Sequence, residues 1–101
     1  MARIGDSLQG KRVLITQSNE FMGPILCKVF AEHGAIVIAD PRPMADPNIA
    51  EQVISDAGDV DVLIANLAVP APSTPAEEVT DAEWQTVFSH LVDPMPRLMR
   101  A

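Results

Sequence analysis

The chain has 101 residues, 48% of them apolar, and carries 14 acidic against seven basic side chains for a formal charge of −7. That length allows one domain with a single modest core, and the acidic excess repels phosphate backbones and anionic lipid, which argues against nucleic acid or a membrane as partner. No apolar export signal opens the chain, and no run approaches the roughly 18–20 residues of a bilayer span, so the cytoplasm is the expected compartment. The single cysteine, Cys27, has no partner for an internal disulfide and no metal-ligand spacing to a histidine, and it reads as a small core residue.

In chain order, residues 12–16 (RVLIT) form a short aliphatic run of the kind seen in a parallel strand covered on both faces. From Phe21 the period changes: Ile25, Leu26, Val29 and Phe30 recur at helical spacing, Pro24 is tolerated in the first turn, and Gly34 is available to end the helix. Residues 35–39 make the second strand, stopped at Asp40-Pro41. Asp46-Pro47 offers an N-cap and first helical residue, followed by Ile49, Ala50, Val53, Ile54 and Ala57 on one face up to Gly58. Residues 61–66 form a third strand. Alternating strands and helices predict an α/β, Rossmann-like three-layer fold over residues 1–101, with a parallel sheet, helices on both faces and right-handed crossovers.

After the third strand a proline-broken loop begins at Leu67, and capping-box patterns follow at Thr74-Pro75-Ala76-Glu77 and Thr80-Asp81-Ala82-Glu83. Trp84, Val87, Phe88, Leu91, Met95 and Leu98 make an apolar stripe, with Pro94 and Pro96 predicting a kink or break. A three-stranded sheet with two open edges and a broad final stripe reads as a fold truncated after the helix that follows the third strand, or as one covered by a partner subunit.

The stretch TQSNEFMG, residues 16–23, stands where the first strand hands over to the first helix. In a dinucleotide-binding turn one glycine permits the bend, a second admits the pyrophosphate and a third lets helix and strand approach. Gly23 keeps the third place, while Gln17 and Phe21 occupy the first and second. A phenyl ring at the second place is expected to crowd out a diphosphate.

Thr16, Phe21 and Gly23 at this spacing resemble the threonine, aromatic and glycine pattern of halohydrin dehalogenases, cofactor-free relatives of the short-chain dehydrogenases/reductases. Residues 10–14, the strand end at 37–40, residues 61–66, and Trp84-Gln85-Thr86 with Asp93-Pro94 extend the resemblance to the amino-terminal half of that family, over roughly residues 8–101. The resemblance implies a parent enzyme that closes vicinal halohydrins to epoxides, or opens epoxides with small anions, as a homo-oligomer without cofactor. It further implies that Thr16, Gln17, Phe21, Gly23, Asp40 and Asn66 hold nucleotide-turn or halide-pocket positions, with the loop from Asn66 through Pro70 as a second wall. The family's Ser-Tyr-Arg base system has no counterpart here, because the chain contains no tyrosine, so no catalytic residue carries over and the chain by itself is expected to be inactive. The interval between Asp40 and Asp61 is about half that of most short-chain dehydrogenases, which predicts a lost edge strand, and His90 stands where those dehydrogenases place an asparagine.

Other readings stay open. The turn also fits a degenerate site for NAD or NADP, with Asp40 on the ribose hydroxyls and Arg42 near a 2′-phosphate, or Asp40 as a plain turn residue. Phe21 fits a pocket wall or a packed helix start, and Asn66 a brace between strands or a pocket group. His33 before Gly34 reads as a helix-end cation. His90 beside Ser89 lacks an acidic partner at a spacing that would orient it. A non-catalytic scaffold is the remaining alternative, and the resemblance implies that Met95, Leu98 and Met99 form a surface for a partner helix.

Overall fold

Arg12–Thr16 forms β1, and its Val13, Leu14, Ile15 and Thr16 are fully buried because the strand is central, with neighbours on both edges and helices on its faces. The computed structural model describes residues 8–69 and 75–101. Within them the order is β1, α1 (Gly23–Glu32), β2 (Ile36–Asp40), α2 (Pro47–Ala57), β3 (Val62–Ile64), a 3-10 turn at Ala76–Glu78, α3 (Asp81–Leu91) and α4 (Pro94–Arg100). The sheet runs β2-β1-β3, both pairings are parallel, and Leu14 lies opposite Ile38 and Leu63.

The period of two along β1 divides the core. Leu14 faces the cluster made by Met44, Ala50, Val53, Ala57 and Leu98, with Ile38, Leu63 and Leu67 packed against it. Val13 and Ile15 point to the opposite face. Each fully buried aliphatic side chain of this size contributes about 1.5–3 kcal/mol of burial free energy. α4 enters the main cluster through Leu98 and the buried Pro94.

Local chemistry sets the boundaries. The Asp46 carboxylate accepts from the Asn48 N–H at 2.8 Å, Pro47 opens α2, and Gly58 with φ of 73° closes it. The Thr80 hydroxyl accepts from the Glu83 N–H at 3.2 Å and starts α3. The break expected at the two prolines occurs: α3 ends at Leu91 and a new helix begins at Pro94, so both prolines fall in a first turn whose N–H groups need no intrahelical acceptor. The interval between Asp40 and Asp61 contains α2 and no strand. The earlier capping box, begun by Thr74, falls partly outside the described residues.

The reading of the α1 face needs correction. In α1 it is Gly23, Leu26, Cys27 and Phe30 that turn toward the sheet, whereas Ile25 and Val29 are exposed. Close contact at Gly23 fixes the rotation of the helix about its axis. Cys27 is free and only half-buried. The stripe on α3 is likewise uncovered by the described residues: Trp84 and Phe88 stack on each other at 5.8 Å with both rings exposed, and only the α4 end of the stripe reaches the core.

At the amino edge of the sheet Arg12 joins three segments. Its backbone N–H donates to the Asp61 carboxylate at 2.9 Å, Nε to the Asp59 carbonyl at 2.6 Å, and Nη2 to the Ala57 carbonyl at 2.8 Å. Ala57 is the last residue of α2, so the guanidinium satisfies carbonyls that the helix leaves open and sits at the negative end of its dipole. Replacing Arg12 with Met is expected to cost about 1–3 kcal/mol, seen in urea unfolding as a lower midpoint with an unchanged slope.

Candidate functional site

All three strands are parallel, so their carboxyl ends share one edge. The chain leaves β1 toward β2 and later crosses to β3 on the other side, which opens a crevice between β1 and β3. A cleft of about 390 Å³ lies there, lined by Gln17, Glu20 and Phe21 of the β1–α1 turn, Pro43 after β2, Ala68 and Val69 after β3, and His90 of α3. Its size is that of small-molecule sites. The far end of the expected wall, at Pro70, is outside the described residues.

The turn keeps a glycine-type backbone without the glycines. Gln17 has φ of 40° and Phe21 φ of 49°, and among the described residues no other non-glycine residue has a positive φ. Such conformations cost non-glycine residues about 1–3 kcal/mol each, and the surrounding bonds hold them. The buried Gln17 amide pairs with the Ala68 backbone in both directions: Nε2 donates to the Ala68 carbonyl at 3.0 Å, and the Ala68 N–H donates to Oε1 at 3.1 Å. It thus acts like one more residue of the β1–β3 ladder. Asn66 Nδ2 donates to the carbonyls of Gln17 and Glu20 at 3.0 and 2.9 Å, while the Thr16 hydroxyl donates to the Asn66 carbonyl at 2.7 Å. On the other side the Ser18 N–H donates to the Asp40 carbonyl at 3.0 Å.

These bonds sort the expected site residues. Thr16 is fully buried and braces the sheet, Asn66 braces the turn, and Gln17 does both while one side of it meets the cleft. Gly23 is held by a close approach: a Cβ there would lie 2.6 Å from the Ser18 carbonyl carbon and collide with its oxygen. Phe21 is 80% exposed and stands at the rim. Its ring borders the cleft together with Gln17 and Glu20, on a left-handed backbone with φ of 49°.

Asp40 ends β2 and is gripped by Arg42, whose Nη2 is 2.6 Å from Oδ2 and whose Nε is 3.0 Å from Oδ1; the same Nη2 reaches Asp56 at 2.9 Å. The hydrogen bonds from Arg42 hold the Asp40 carboxyl below its usual range against the opposing effect of burial. Sequence reasoning placed Arg42 beside a ligand and passed over Asp56, near the end of α2. His90 was set aside, yet it lines the cleft. Its Nδ1 lies 2.8 Å from the Thr86 carbonyl, which can only accept, so Nδ1 carries a hydrogen. Among the described residues no cluster of His, Cys, Asp and Glu has metal-binding geometry, and no helix is long and apolar enough to cross a membrane.

No family model matches the chain. It is 33% identical, over 97 residues covering 77% of the chain, to an uncharacterized oxidoreductase, C922.06, of Schizosaccharomyces pombe, and spans 37% of that protein. It superposes with a TM-score of 0.78 on L-sorbose reductase from Gluconobacter frateurii complexed with NADPH and L-sorbose, at 22% identity, covering 92% of this chain and 46% of the reductase. A second neighbour, NADH-dependent reductase A1-R′ complexed with NAD, gives 0.74 at 19% identity, covering 96% of this chain and 52% of the reductase. The chain thus has the Rossmann-like α/β fold of these reductases and spans about half their length or less. In both solved neighbours a nicotinamide dinucleotide is bound, which overturns the expectation of a site without cofactor.

Two measurements check the turn. Phe21→Gly is expected to raise stability by up to about 1 kcal/mol, since strain is relieved and little burial is lost, whereas Gly23→Ala lowers it by more than about 2 kcal/mol through backbone collision; urea midpoints on both variants decide. For Asp40, a carboxyl held low in the folded chain stabilises it above the unfolded value near 4 and loses that contribution as pH falls below it. Asp40→Asn is therefore expected to flatten the loss of stability as pH falls below about 4.

Proposed function

We propose that the chain is the dinucleotide-binding half of an NAD(P)-dependent oxidoreductase of the short-chain dehydrogenase/reductase type. The observation that carries this reading is the β1–α1 turn, which holds left-handed conformations at the first and second glycine positions, keeps Gly23 at the third, and opens on the crevice beside β1. The reductase complexes and the S. pombe oxidoreductase support it. The residues fit such a ligand: the rim ring of Phe21 leaves the turn accessible, and Asp40 ends the strand where the adenosine ribose is read.

In this reading the backbone of residues 18–22, at the positive end of the α1 dipole, receives the diphosphate. No side chain caps α1 and its first turn has no acidic residue. Asp40 and Arg42 meet the ribose, and Ala68 and Val69 wall the passage toward His90. A bound nicotinamide supplies hydride transfer. The chain's own share is binding and orientation, since it contains no tyrosine to hold or give a proton. The halohydrin reading rests on the resemblance carried by Thr16, Phe21, Gly23 and the segments that extend it, and the comparisons favour the nicotinamide reading over it.

Titration with NADH or NADPH, followed by nicotinamide fluorescence, tests the proposal. Saturable binding that Gly23→Ala abolishes is expected. The absence of saturable binding with either dinucleotide at millimolar concentration would refute it and leave a non-catalytic scaffold as the better reading.

A further inference from the structure

The Asp40 carboxylate is already engaged. Its Oδ1 accepts from the Arg42 backbone N–H and Nε, both at 3.0 Å, and its Oδ2 from Nη2 at 2.6 Å and Nε at 3.2 Å. A carboxylate has about four lone-pair sites, so Arg42 alone uses the capacity that ribose hydroxyls would need. The guanidinium in turn spends its Nε–Nη2 edge on Asp40 and shares Nη2 with Asp56. Whichever dinucleotide docks, this contact has to open.

Asp56 gives the opening a route. It lies on α2, its Oδ2 is 2.9 Å from the Arg42 Nη2 that also binds Asp40, and its side chain is 67% exposed against 13% for Asp40. Arg42 can thus pivot about Nη2 toward Asp56 without giving up an ion pair, and the inner carboxylate is freed while the outer one neutralises the guanidinium. The trio of two carboxylates and one guanidinium is negative by one charge, which a 2′-hydroxyl tolerates and a 2′-phosphate of about −1.5 to −2 does not.

Resting on the dinucleotide reading above, we propose that Asp56 is a positioning residue that takes up Arg42 when the adenosine ribose docks on Asp40, and so selects the dinucleotide with a free 2′-hydroxyl over its 2′-phosphorylated counterpart. Because Asp56 is exposed, its share is that of a surface ion pair, about two- to fivefold in the affinity ratio, and it weakens with salt.

The test uses ADP-ribose and 2′-phospho-ADP-ribose, which need only the adenosine half of the site, in calorimetric titrations of the wild-type protein, Asp56→Asn, Arg42→Met and the double variant. Asp56 is exposed and the change is nearly isosteric, and circular dichroism confirms the fold. Expected are preference for ADP-ribose in the wild type, a two- to fivefold fall in that preference in Asp56→Asn at low salt, and no further effect of Asp56→Asn when Arg42 is already replaced. An unchanged ratio in Asp56→Asn, or an equal effect with and without Arg42, overturns the role of Asp56 while leaving the dinucleotide reading intact. Binding of neither probe to the wild type overturns both.

Discussion

Two buried side-chain amides hold the carboxyl edge of this sheet together. Gln17 continues the β1–β3 ladder past the end of the strands, and Asn66 gathers the carbonyls of Gln17 and Glu20 from the turn above. Without these bonds nothing would keep a glutamine and a phenylalanine in left-handed backbone, and the turn would relax out of the shape that opens the crevice. The polar groups are buried and satisfied, the condition under which such networks fix one structure rather than weaken it.

The sheet separates two duties along its strands. At the amino edge Arg12 joins β1, the end of α2 and the lead into β3. At the carboxyl edge the three strands diverge and present Gln17, Asp40 and Ala68 around open space. Parallel pairing makes this division possible, since every strand begins at one edge and ends at the other. α2 takes part in both duties, with its terminal carbonyl on Arg12 and its Asp56 on Arg42.

The alternation of aliphatic runs with 3.6-period stripes made the fold legible, and Asp46-Pro47, Gly58 and Thr80 marked helix ends through their own chemistry. The missing edge strand followed from a count of residues between Asp40 and Asp61. What the sequence did not disclose depends on orientation. The rotation of α1 is set by the approach of Gly23 to the Ser18 backbone, so the apolar pattern alone misassigned Ile25 and Val29. At Phe21 the size of the side chain was legible and its left-handed φ was not. The pairing of Arg42 with Asp56 joins the end of β2 to the far end of the next helix, and no helical or strand period encodes it.

Gln17 and Phe21 separate a motif from the geometry that motifs are meant to report. A search keyed to glycine letters would discard this turn, although its dihedral angles match those that glycines usually supply. The restraint comes from outside the loop, from Asn66 and Ala68 just after β3, so left-handed backbone at these two positions does not depend on glycine. Surveys for such folds would recover more members by matching torsions together with the amide clamps than by matching consensus letters.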